Sequence, residues 1–104
     1  MAKAITVKSA YHELGFPDAD EMFVKAQLAT KIAQILETRD WTQQEAAKVL
    51  GLTQPKLSQM LRGQFRGISE LKMMDCLVRL GQGVRIVVEP ARARTPKRIE
   101  VVAA

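Results

Sequence analysis

Residues 53–66 read TQPKLSQMLRGQFR. Leu57, Met60 and Leu61 stand at i, i+3 and i+4, the spacing of one apolar helix face. Gln54, Pro55, Lys56, Ser58 and Gln59 fall on the opposite face. A glutamine amide carries a donor and an acceptor side by side, which match N6 and N7 of adenine, and a lysine ammonium can reach O6 or N7 of guanine. Pro55 can touch a thymine methyl. Hydroxyls, amides and guanidinium groups at Thr53, Ser58, Arg62, Gln64 and Arg66 suit phosphate oxygens. Gln43 opens the preceding helix, where free amides and the helix dipole favour an anion. For any one of these residues the plain alternative is a solvated surface side chain. That alternative weighs more for Ser58 and Gln64 than for Gln54 and Gln59.

These side chains need two helices to hold them. In the stretch 43–62, QQEAAKVLGLTQPKLSQMLR, Ala46, Ala47 and Leu50 make the inner face of a first helix. Thr42 with Glu45 forms a capping box at its start. Gly51 marks the turn, where a left-handed backbone costs little without a Cβ. Leu52 fills the gap between the helices. Thr53 caps the second helix, and Pro55 falls in its first turn, where no amide donor is missed. The small residue at Ala47 allows a close crossing. Small, glycine and apolar positions at these intervals are the sequence form of a DNA-binding helix-turn-helix.

The totals fit such a unit. The chain has 104 residues and a net charge of +5, enough for one domain with a modest core. Residues 1–40 carry five basic and six acidic groups, 41–83 six and three, and 84–104 five and two. The basic excess therefore begins with the helix-turn-helix, which suits a polyanionic partner. No apolar run is long enough to span a membrane, and the first residues lack a signal-peptide core. A single cysteine, Cys76, rules out an internal disulfide and fits a cytoplasmic location. One histidine and one cysteine make no usual metal site, and no cofactor is expected. There are no paired carboxylates, no nucleophile with a base and no phosphate loop, so an enzyme is not expected. His12 has no evident partner.

Elsewhere, Asp18 to Glu21 resembles a second capping box opening a long helix to about Thr38. Its buried face is expected at Phe23, Ala26, Leu28, Ala29, Ile32, Ala33, Ile35 and Leu36, with Lys25, Lys31, Gln34 and Glu37 off it. Trp41 is expected to plug the core. After a loop marked by Gly63 and Gly67, Ser69 caps a further helix. Leu71, Met74, Leu77, Val78 and Leu80 should face inward, Cys76 should lie on or near the packing surface, and Gly81 should end the helix. Residues 84–89, VRIVVE, form the clearest strand, ended by Pro90. Its partner is the segment 99–102, the segment 5–7 or the same strand of a second chain; two-fold symmetry favours the last. The basic stretch 91–98 is either a phosphate-contacting arm or a solvated tail. The chain thus divides into an N-terminal arm (1–17), a helix-turn-helix domain (18–83), and a dimerisation strand with a basic tail (84–104).

Three stretches together resemble the xenobiotic-response-element type of helix-turn-helix regulator, within the phage-repressor-like fold. They are LGFPDADEMFVKAQLATKIAQIL, WTQQEAAKVLGLTQPKLSQMLRG, and SELKMMDCLVRLG followed by VRIVVEP. The flanking segments are most similar to the HigA-type antitoxin-like branch. The resemblance implies a mainly α bundle of four to five helices with a C-terminal β-strand paired across a dimer. It also implies sequence-specific binding to a double-stranded DNA operator, with base contacts at Gln54, Pro55, Lys56 and Gln59. Members of this branch often repress their own promoter beside a toxin gene. A toxin-binding surface here would use residues 2–16 or the tail 92–104. The competing expectation is a protein-interaction module that keeps the fold and does not bind DNA.

Overall fold

The computed structural model describes residues 3–4, 12, 14–92, 94 and 97–104. Among these residues four helices and two very short strands follow in order: β1 (Lys3–Ala4), α1 (Ala19–Glu37), α2 (Gln43–Leu50), α3 (Gln54–Leu61), α4 (Glu70–Arg79) and β2 (Val102–Ala103). β1 and β2 pair antiparallel, Lys3 opposite Ala103 and Ala4 opposite Val102. The chain ends therefore meet. The expected 5–7 strand lies outside the described residues.

One apolar core joins all four helices. Met22, Leu28, Ile32 and Ile35 of α1 meet Ala46, Ala47 and Leu50 of α2, Leu57 and Met60 of α3, and Met73, Cys76 and Leu77 of α4. Phe65 and Ile68, in the loop between α3 and α4, are also buried. They anchor a segment that its glycines mark only as a loop.

Several side chains lie elsewhere than their spacing suggests. Lys25, expected off the buried face of α1, is only 4% exposed. Its ammonium lies 3.3 Å from a Glu70 carboxylate oxygen and 3.8 Å from one of Glu21, and it donates to the Arg66 carbonyl at 3.5 Å. A buried cation persists only with such partners. Asp18 precedes α1 but makes no side-chain cap; its carboxylate pairs with Arg66 instead. After Ser69, Cys76, Leu77 and Leu80 are buried as expected, but Met73 joins them in the core while Leu71 is 76% and Val78 55% exposed. Trp41 is not a core plug. It is 38% exposed, and the Arg39 guanidinium lies over its ring at 5.8 Å.

The C-terminal region departs furthest from expectation. Residues 82–92 form no strand, and Ile86, Val87 and Val88 stand exposed. The strand that does form is β2. It is docked by Gln27, a fully buried amide of α1. Gln27 Oε1 accepts from the Val101 amide at 3.2 Å, and its Nε2 donates to the Val101 carbonyl at 3.4 Å. One side chain thus satisfies both backbone groups of a residue, as a neighbouring strand would. His12 has a partner as well: its Nε2 lies 2.7 Å from Asp20 Oδ1.

Candidate nucleic-acid interface

The α2–α3 unit is built by its caps. Thr42 Oγ1 accepts from the Glu45 amide at 3.1 Å, and the Glu45 carboxylate accepts from the Thr42 amide at 3.3 Å. This closes the expected capping box. At the other end of α2, Gly51 adopts φ 67°, a left-handed conformation costly for any residue with a Cβ. Leu52 then donates its amide to the Ala47 carbonyl at 3.0 Å and packs against the core. Thr53 Oγ1 accepts from the Lys56 amide at 3.3 Å and starts α3.

A cluster on α4, without any local sign in the sequence, fixes the turn from behind. Lys72 Nζ donates to the Leu50 carbonyl at 2.9 Å, and Arg79 donates to the Val49 carbonyl at 3.5 Å. The free carbonyls that end α2 are thereby met by cations, which the helix dipole also favours. Asp75 holds both cations, at 3.1 Å from Lys72 and 2.9 Å from Arg79. Its hydrogen bonds to Lys72 and then Arg79 keep the carboxyl below its ordinary pKa. The Cys76 thiol points at the same Leu50 carbonyl, 3.8 Å away, and burial pushes its pKa up. A Cβ on Gly51 would come within 3.0 Å of the Arg79 guanidinium and 3.1 Å of Lys72 Nζ. Position 51 therefore has both a backbone and a packing reason to be glycine.

With the turn fixed, α3 buries Leu57 and Met60 and turns its other side outward. Gln54, Pro55 and Gln59 are exposed there, and Arg62 continues the face at its end. Lys56 is half-buried. Its ammonium leans toward the following loop, 2.9 Å from where a Cβ on Gly67 would stand, so it flanks the face rather than projecting from its centre. Ser58, also half-buried, accepts from the Arg62 guanidinium at 2.9 Å, which holds that cation along the helix. Thr53, Gln43 and Gln64 are exposed. The Thr53 oxygen serves as the cap acceptor, and its O–H remains a donor. Gln43 begins α2, where the capping box engages the Thr42 and Glu45 amides. Arg66 stands apart: it pairs with Asp18 and lies over the Phe16 ring at 5.6 Å, so a phosphate would compete with a carboxylate for it. Leu61, expected to face inward, is 37% exposed and forms a small apolar edge beside Trp41 and Leu36.

The fold and this outward face are those of a helix-turn-helix protein. A family model described as a helix-turn-helix domain matches residues 10–89, and the chain belongs to that family. A solved structure named as a candidate XRE family transcriptional regulator is similar at 37% identity and a TM-score of 0.78, covering 85% of this chain and 100% of its own. The class is thus that of XRE-type helix-turn-helix regulators. A comparison with curated proteins gave no match. No helix among the described residues is long and apolar enough to cross a membrane.

Proposed function

We propose that the chain is a sequence-specific DNA-binding regulator of transcription, that it works as a homodimer, and that it represses its own promoter. The observation that carries this reading is α3. Its exposed side presents two glutamines and a proline, with cations at its flank and end, on a helix held rigidly by the turn beneath it. A recognition helix enters the major groove with its N-terminal residues at the base edges. Gln54, Pro55 and Gln59 fill that role, with Lys56 at the margin. Gln43, Thr53, Ser58, Arg62, Gln64 and Arg66 supply the surrounding phosphate contacts. The reading involves no catalytic step and no cofactor.

Two variants test the assignment on a panel of operator duplexes. Gln59→Ala should cost about 1–3 kcal/mol of binding and relax preference at one base-pair position, whereas Arg62→Ala should weaken every duplex alike and flatten the salt dependence. A Gln59→Ala protein with the parent's preference at every position would remove α3 from recognition.

A second role, as the antitoxin of a toxin–antitoxin pair, draws support from the chain ends. β1 and β2 join residues on both sides of the helical domain into one small sheet, remote in sequence from α3. Co-purification with the product of an adjacent gene, lost on trimming either end while duplex binding persists, is the expected result. A neighbour that does not associate would remove this role and leave the repressor reading intact.

A further inference from the structure

Asp18 breaks a local rule. Its backbone stands at the start of α1, where its carbonyl accepts from the Met22 amide at 2.9 Å. An aspartate there ordinarily turns its carboxylate back to an amide of the first turn, and no such bond forms. The carboxylate reaches Arg66 instead, in the loop between α3 and α4. Its other oxygen, Oδ1, is buried with no hydrogen-bond partner among the described residues. A forgone cap and a buried, unpaired oxygen both work against folding, so the pair with Arg66 points to a use beyond stability.

Arg66 is set so that its side chain can change partner while its backbone stays in place. Its neighbours Phe65 and Ile68 are buried. Lys25, itself buried, donates to the Arg66 carbonyl at 3.5 Å. The side chain, by contrast, is 55% exposed, with the guanidinium 5.6 Å from the centre of the Phe16 ring. A guanidinium carries five N–H donors in a planar fork that suits carboxylate and phosphate alike. Other cations stand close by. Arg62 ends α3 just before the loop, and the Lys56 ammonium leans over Gly67, the residue after Arg66. A phosphate arriving beside the loop therefore meets a cationic edge in which one member already has an anion.

We infer that Asp18 sets the affinity of the DNA-binding face: its carboxylate occupies the Arg66 guanidinium in the free protein, and a backbone phosphate must displace it on binding. This rests on the DNA-binding reading above and adds an internal competitor for one of its phosphate contacts. The exchange involves no base edge, so it lowers affinity for every duplex alike and leaves base preference to α3. Non-specific sites are in great excess in a genome, and a built-in competitor shortens the time lost on them.

Fluorescence anisotropy on the native and shuffled duplexes across a salt series tests the inference with the parent, Asp18→Asn, Arg66→Ala and the double variant. Asparagine is nearly isosteric and suits a helix start. Asp18→Asn should tighten binding to both duplexes roughly three- to fivefold, the scale of an exposed ion pair, with the native-to-shuffled ratio unchanged. A folding defect cannot produce such a gain. Arg66→Ala should weaken the parent by less than about twofold yet cancel the whole gain in Asp18→Asn, a coupling that independent sites do not show. Asp20→Asn removes an equal charge from a side chain 92% exposed at the same helix start. It should change binding by less than about twofold, because solvent and salt screen that charge. No gain from Asp18→Asn, an equal gain from Asp20→Asn, or a gain that persists without Arg66 would overturn the inference and leave the DNA-binding reading intact. No duplex bound by any of these proteins at low salt would overturn that reading, and the inference with it.

Discussion

The α2–α3 unit and the segment after α4 hold similar proportions of apolar residues and are used in opposite ways. In the first, Ala46, Ala47, Leu50, Leu57 and Met60 are all buried, and each helix start has its own cap. In the second, Ile86, Val87 and Val88 are exposed, and Gln27 grips the chain further on, at Val101. Local signals suffice for a helix because its backbone hydrogen bonds lie within the element. A strand draws its hydrogen bonds from a partner, so its own residues do not say where it goes. The molecule therefore combines a helix-turn-helix unit satisfied by the rest of the described chain with a segment whose apolar side chains are exposed.

Substitutions ordered by expected effect can break or sharpen this contrast. Leu50→Ala empties the centre of the core where α2 meets α4 and should cost about 2–5 kcal/mol of folding stability, read from urea denaturation. A loss under about 1 kcal/mol would mean that the unit is less tightly packed than its burial implies. Gln27→Ala removes a buried amide and frees both Val101 backbone groups, a cost of about 1–3 kcal/mol. Hydrogen exchange should accelerate at Val101 and β2 while α2 and α3 keep their protection and duplex binding is unchanged. Faster exchange throughout α2 and α3 would show that the two regions are one cooperative unit. Gly51→Ala, strained by its positive φ and by the cations behind it, should cost about 1 kcal/mol or more and weaken duplex binding beyond its effect on the folded fraction.

Asp75→Asn should have the smallest effect, and one that depends on pH. The lowered carboxyl pKa means that Asp75 adds stability above its ordinary value of 3.8 and loses it as pH falls through the lower folded value. The difference in thermal midpoint between parent and variant should be constant near neutrality and shrink on acidification below about pH 4. A difference that stays constant under acid would show that the Lys72–Asp75–Arg79 cluster does not depend on that charge.

What could be read from the sequence follows the same division. Thr42, Glu45, Gly51, Thr53, Ser69 and Gly81 announce their elements because capping and left-handed turns involve only near neighbours. The exposed face of α3 followed from where Leu57 and Met60 had to go. The α4 register did not, since Leu71, Met73, Met74, Cys76, Leu77, Val78 and Leu80 are apolar on more than one side and periodicity cannot choose between stripes. Lys25 and Gln27 read as ordinary polar residues of a surface helix. Their burial depends on Glu70 and Val101, far along the chain. The cluster behind the turn was hidden for the same reason: its cations serve carbonyls 22 and 30 residues away. Among the candidate site residues, the exposure of Gln54, Pro55 and Gln59 was legible in the sequence, but the lean of Lys56 and the prior pairing of Arg66 were not.

The central claim is that α3 reads base sequence. Fluorescence anisotropy with a labelled duplex from immediately upstream of the gene, run beside a shuffled duplex over a salt series, tests it most directly. The account predicts tight binding to the native duplex and far weaker, steeply salt-dependent binding to the shuffled one. No binding to either duplex at low salt would contradict it and leave a helix-turn-helix fold whose exposed face serves another protein.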